Sequence, residues 1–173
     1  MENVRDNVFL VNDCAVTIEN TRLILSALWT KVKPIHQIAI ERSMNDFHLI
    51  RNNGNRLTCE DLNQEHEASL AFIKKELAID QPGISKIVVT HHVPTFINYP
   101  PQYLSDILNE ALAVNLTGLI SKNGPDYWIF GHHHQNIPDF KIGNTHILTN
   151  QMGYVRNSEN ELFDNRKTLD IAF

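Results

Sequence analysis

Twice in this chain a segment of helical spacing is closed by a Gly/Pro breaker, followed by a short strand-like run, and the run ends in histidines. In the first copy, Thr58-Cys59-Glu60-Asp61 has the form of a capping box, a Thr cap with a carboxylate three positions on. Leu62, Leu70, Ile73 and Leu77 then recur at helical spacing until Asp80-Gln81-Pro82-Gly83 stops the helix. The β-branched run of residues 86–90 leads directly into His91-His92-Val93-Pro94. In the second copy, residues 105–120 read as a helix with a weak point near Asn115, and Asn123-Gly124-Pro125 closes it. Tyr127-Trp128-Ile129-Phe130 then runs into Gly131-His132-His133-His134. Helices that alternate with short apolar strands bury their faces best in layers, so the expected class is α/β, with mixed sheets flanked by helices.

The rest of the chain adds strands around this frame. Residues 7–11, 16–18 and 21–29 read as short strands separated by Asn-Asp and Glu-Asn turns. The third is apolar on both faces, as a strand in the middle of a covered sheet would be. Residues 35–40 read as a short helical or irregular piece, residues 44–50 as strand or loop, and residues 52–55 as a turn. Residues 93–103 hold Pro94, Pro100 and Pro101 among Phe96, Tyr99 and Tyr103, a loop suited to form a wall or lid beside the first histidine pair. Residues 140–142, 146–149 and 167–173 are expected strands, the first two joined by a hairpin turn at Gly143-Asn144.

At 173 residues the chain has the length of one domain with a sizeable core. Its 42% hydrophobic and 20% charged content is that of a globular protein and excludes wholesale disorder. A formal net charge of −5 argues against a general nucleic-acid or anionic-membrane surface. Residues 1–13 carry charges throughout, unlike a signal peptide, and no apolar run is long enough to span a bilayer. Cys14 and Cys59 lack metal-type spacing, so reduced thiols and a cytoplasmic setting are expected.

The histidines carry the chemistry. Neutral imidazole is the commonest protein ligand for transition metals. In an extended or tightly turned backbone, side chains two apart face the same way, so His132 and His134 are expected to converge while His133 points elsewhere. Gly131 would let the chain turn sharply there. A lone histidine after a strand is more often a hydrogen-bonded structural residue, and an internal triplet could be a solvated turn. Two clusters, each released at a strand's carboxyl end where open α/β sheets build their sites, favour metal binding.

At these residues the chain resembles the carboxyl-terminal part of a calcineurin-like metallophosphoesterase. That family carries five blocks in order: D-x-H, G-D-x-x-D, G-N-H-D/E, a strand ending in His, and G-H-x-H. Val88-Val89-Thr90-His91-His92 matches the fourth and Gly131-His132-His133-His134 the fifth. The resemblance extends through the strand ending in Trp29, Met44-Asn45-Asp46-Phe47 and Gly124-Pro125-Asp126-Tyr127-Trp128. It implies an αββα sandwich and hydrolysis of phosphoric mono- or diesters by a pair of manganese, iron or zinc ions. It assigns His91 and His132 to one metal and His134 to the other, with His92 and His133 beside the ligands or facing substrate.

The first three blocks are absent. Asp46-Phe47-His48 is the one D-x-H in the chain and lies in the wrong place. Residues 1–173 are therefore expected to be a single domain that forms the rear portion of such an enzyme. Two dications held close repel one another, and three neutral imidazoles supply no compensating charge. Weak single-metal binding and little hydrolysis are expected of the chain alone. An upstream fragment or a second copy would complete the site around a phosphoester substrate, with no nucleic acid or membrane involved. The alternative is a non-catalytic binding or scaffold module with a vestigial histidine site.

Overall fold

The computed structural model describes residues 2–171 and has the expected α/β class. Its strands are β1 (Glu2–Arg5), β2 (Val8–Leu10), β3 (Cys14–Ile18), β4 (Thr21–Ser26), β5 (Arg51–Asn52), β6 (Asn55–Arg56), β7 (Ser85–Thr90), β8 (Tyr127–Phe130), β9 (Phe140–Ile142) and β10 (Thr145–Thr149). The helices are α1 (Gln37–Ser43), α2 (Asp46–Leu49), α3 (Cys59–Leu77) and α4 (Thr117–Asn123). Six strands form one mixed sheet in the order β3-β4-β7-β8-β10-β9, while β1-β2 and β5-β6 are separate two-stranded ribbons.

Within the sheet β4, β7, β8 and β10 are mutually parallel, and the outer strands β3 and β9 are antiparallel to their neighbours. The register sets Ser26 beside Thr90, Val89 beside Ile129, and Phe130 beside Thr149. All four parallel strands therefore end along one edge. The segments that follow them, with His91, His132 and Gln151, are delivered to the same place.

The two sheet faces differ. On one, Ile24, Val88, Trp128, Phe130 and Ile147 form the main core with Ile73 of α3 and Ile120 of α4. A second cluster joins Val32, Ile40, Phe47, Leu57, Cys59 and Leu62, tying α1 and α2 to the first turns of α3. On the other face Leu23, Leu25, Val89, Ile129 and Leu148 are apolar but only half-buried. A cleft of about 820 Å³ lies between Leu25 and Val89 and the Leu10-Val11 segment, and a smaller one of about 170 Å³ separates Ile129 and Leu148 from Lys167-Thr168-Leu169.

The Thr58 cap forms as the sequence indicates. Its hydroxyl accepts from the Asp61 amide at 3.1 Å while the Asp61 carboxylate accepts from the Thr58 amide at 2.9 Å. The Gly143 hairpin joins β9 to β10 with φ +58°.

Four local expectations give way to tertiary contacts. The strand expected over residues 21–29 stops at Ser26, because the amides of Ala27 and Leu28 bond to the Asn12 and Ser26 side chains and Leu28 turns to φ +49°. Residues 105–120 are not one helix. Val93 and Ala113 bridge in parallel, with bonds from the Val93 amide to the Leu112 carbonyl and from the Leu116 amide to the Pro94 carbonyl, leaving a 3-10 turn (Ile107–Ala111) before α4. Residues 46–49, expected as strand or loop, form α2. Residues 167–171 are not a strand, and the last two residues of the strand expected there lie outside the described residues.

Candidate functional site

The site is built on the strand ends. Trp128, fully buried in β8, donates its indole N–H to the Thr90 hydroxyl at 3.0 Å, and that hydroxyl donates to the His92 carbonyl at 2.9 Å. This chain of bonds locks the exit of β7 to the last turn of β8. One residue later, the Gly131 amide donates to the His91 carbonyl at 3.2 Å. The histidine segments are thus stitched together before their side chains are considered.

His91 and His132 meet. The Nε2 atom of His91 lies 2.8 Å from Nδ1 of His132, with the rings edge to face at 4.6 Å. The His132 ring also packs on His92 at 4.5 Å, and its Nε2 is buried without a hydrogen-bond partner among the described residues. Burial first, then four neighbouring imidazoles, pull His132 down to about 2. His91 keeps solvent access, yet the protein crowding its inner edge depresses it too, against an opposing pull from the Asp46 carboxylate.

His92 is an anchor. Its Nδ1–H donates to the Ala27 carbonyl at 3.0 Å and its ring lies against Trp29, while burial holds it near 4. His133 is inward-facing as well. Its Nδ1 accepts from the Gln135 amide at 3.2 Å and from the Gln151 side-chain amide at 3.0 Å, leaving its buried Nε2 unpartnered. Tyr99 and Phe130 close edge-on around that ring, and burial again lowers it to about 4. Tyr99 comes from the proline-rich loop, expected as a wall or lid beside the first histidine pair, and its ring packs against His133 of the second cluster. His92, His132 and His133 are therefore neutral near pH 7.

His134 does not join the pair as expected. Alternation fails because the turn falls on the histidines and not on Gly131. His132 has φ +78° and is spanned by a bond from the His133 amide to the Gly131 carbonyl, a γ-turn of the rare, strained kind. His134 is left-handed at φ +55°. Each such conformation costs about 1–3 kcal/mol for a residue with a side chain. The His134 ring turns to Glu159, with Nδ1 3.0 Å from Oε2, and borders a cleft of about 280 Å³.

Two residues with central roles escape sequence reading. The buried Gln151 side chain accepts from the His134 amide at 2.8 Å, and its Nε2 lies within hydrogen-bond reach of Thr149, the Gln135 carbonyl and His133, so it holds the whole loop. Glu159 fixes the His134 ring. The one available signal for both was their position after β10, a strand whose end shares the edge with β7 and β8.

The donors present fit a cation in part. The nitrogens of His91 and His132 that face one another at 2.8 Å could serve as two donors to one borderline dication. They do not fit a two-metal cluster, which needs carboxylate bridges. Among the described residues no group of three or more His, Cys, Asp or Glu side chains is placed to hold one ion.

No family model matches this chain, and no solved structure matches it. It is similar to "Uncharacterized protein L509" of Acanthamoeba polyphaga mimivirus, at 30% identity over 166 residues, covering 89% of this chain and 58% of the relative. The chain thus spans little more than half of that relative's length. Both cysteines are free, and among the described residues no helix is long and apolar enough to cross a membrane.

Proposed function

We propose that this chain is the imidazole-bearing portion of a metal-dependent phosphoesterase domain of calcineurin-like type, completed by acidic residues it does not itself carry. The observation that carries the reading is the meeting of His91 and His132 where β7 and β8 end side by side. Desolvated neutral imidazoles in ring contact are poor salt-bridge partners and good cation ligands. Two further features support it. His132 and His134 both hold a disfavoured positive φ, and backbone strain of this kind recurs at sites of function. The half-covered apolar face and the cleft beside His91 are where a second layer with carboxylates on its rim would dock.

A divalent metal ion bound here would supply charge neutralisation and a more acidic water for attack on phosphorus. The chain's own contribution is to orient donors and to exclude water on one side through Tyr99, Phe130 and Trp29. The substrate class is a phosphoric mono- or diester, and the free thiols favour a cytoplasmic setting.

The lack of a three-ligand group among the described residues favours a second reading, a binding or scaffold module that retains a vestigial site. Hydrolysis of p-nitrophenyl phosphate and bis-p-nitrophenyl phosphate with Mn²⁺ separates the two. The longer gene product, or this chain co-expressed with the region encoded upstream, is expected to be active, and His132→Ala is expected to abolish that activity. Absence of turnover in every combination overturns the enzymatic reading and leaves the scaffold.

A further inference from the structure

The formal net charge of −5 conceals a segment of the opposite sign. Residues 31–56 carry Lys31, Lys33, Arg42, Arg51 and Arg56 against only Glu41 and Asp46. Both carboxylates are half-buried, and Glu41 accepts from the Cys59 amide at 2.8 Å. Lys31 and Lys33 are paired with Glu67 and Glu110. Arg42, Arg51 and Arg56 are exposed and have no carboxylate partner among the described residues. Arg51 and Arg56 moreover stand directly opposite one another in the β5-β6 ribbon. Like charges at such a position repel and weaken the pairing of strands. The Asp61 carboxylate of α3 does not relieve them, being engaged by the Thr58 amide and the Asn52 side chain. An anion brought against the ribbon from outside would.

Large aliphatic side chains stand out beside these arginines. Ile35 is 83% and Leu49 76% exposed, the two highest values for large hydrophobic side chains among the described residues, and Ile38 is 65% exposed. Ile38 and Arg42 lie one turn apart on the outer face of α1, whose inner face buries Ile40. The His48 ring donates to the Arg42 carbonyl at 3.2 Å, seating α2 on the end of α1, and the Leu57 amide donates to the Ile50 carbonyl at 3.2 Å, joining α2 to the ribbon. These exposed side chains line none of the three clefts described above, and Phe47, the one Phe, Tyr or Trp of the segment, is buried. We propose that the corner formed by α1, α2 and the β5-β6 ribbon docks on an anionic phospholipid surface. Ile35, Ile38 and Leu49 enter the boundary between headgroups and acyl chains, and the three arginines meet lipid phosphates. Aliphatic side chains on a projecting corner gain apolar cover from a fluid medium without a preformed pocket. A protein partner is held best by aromatic anchors seated in pockets, and single-stranded nucleic acid by aromatic stacking, neither of which this corner offers. The planar guanidinium fork suits phosphate oxygens. The proposal is independent of any metal at the histidines.

The test is co-sedimentation of the full chain with unilamellar vesicles of phosphatidylcholine alone and of an equimolar mixture with phosphatidylserine, at low and at high salt. The chain is expected to bind the mixed vesicles at low salt, to leave them as salt screens the contact, and to ignore the neutral ones. Arg51→Ala combined with Arg56→Ala should weaken partitioning about fivefold for each arginine removed. Ile35→Ser combined with Leu49→Ser should weaken it at every salt concentration. Lys74→Ala combined with Lys75→Ala removes the same charge from the exposed face of α3 and should leave binding unchanged. All six positions are exposed, and unchanged urea midpoints report that each variant is folded. Failure to bind the mixed vesicles, or binding that the lysine variant weakens as much as the arginine variant, overturns the proposal. So does binding to polyglutamate, in place of the vesicles, that depends on the same arginines, because the surface then belongs to an acidic protein partner.

Discussion

Thr90 and Trp128 share a buried hydrogen bond, indole N–H to hydroxyl at 3.0 Å, that ties the two histidine-bearing strands together at the carboxyl end of β7. The hydroxyl passes the bond on to the His92 carbonyl. Thr90→Val keeps the shape and removes both bonds, leaving an indole N–H and a carbonyl unsatisfied in the interior. The expected loss is about 1–3 kcal/mol of stability per orphaned group. Urea unfolding followed by tryptophan fluorescence measures it, and a Thr90→Val protein as stable as the wild type would show that neither bond matters.

Acid should weaken the fold through the same cluster. Folded-state values near 4 for His92 and His133 and near 2 for His132 lie below the ordinary imidazole value of 6.5. The unfolded chain therefore binds more protons than the native state once the pH falls below about 6.5, and native stability drops from there towards the folded values. Between pH 7 and pH 5 the expected loss is a few kcal/mol in total, about 1–2 kcal/mol per ring. Urea midpoints measured in EDTA across this range should decline steadily. A flat profile would mean that these rings are hydrated, not buried.

Metal binding by the isolated chain should be weak and single. His91 and His132 offer one facing pair, and among the described residues no third His, Cys, Asp or Glu side chain groups with them to hold an ion. Calorimetric titration with Zn²⁺ or Mn²⁺ is expected to give at most one site, lost in His91→Ala. Two tight sites in this chain alone would refute the view that its acidic partners are elsewhere.

The two faces of the sheet should respond differently to truncation. Val88→Ala removes a fully buried side chain from the main core and should cost about 2–4 kcal/mol. Leu25 and Ile129, half-buried on the opposite face, should cost less than half as much when truncated to Ala. Replacing Leu25 with Lys should reduce any self-association of the isolated chain, measured by light scattering after size exclusion. If Leu25→Ala proved as damaging as Val88→Ala, that face would already be well covered.

Local chemistry made several elements legible. The capping box at Thr58, the strands of residues 86–90 and 127–130, and the turn at Gly143 depend on neighbours a few residues away, and those neighbours are in the sequence. The apolar character of both faces of β4 was equally visible. Residues 105–120 misled because Val93 and Ala113, 20 positions apart, pair across the loop and outcompete helical bonds that periodicity alone would favour.

The histidine site divides along the same line. That His91 and His132 approach one another follows from short strands ending in histidine and from a sheet whose parallel strands share an edge, both of which the chain spells out in order. Where each ring points was decided only in three dimensions. Positive φ at His132 and His134 breaks the side-chain alternation on which the expected convergence rested, and Gln151 and Glu159 hold the strained loop from beyond β10. Backbone conformation is a local variable, but the contacts that stabilise a disfavoured one come from distant residues, so only the folded chain could choose it.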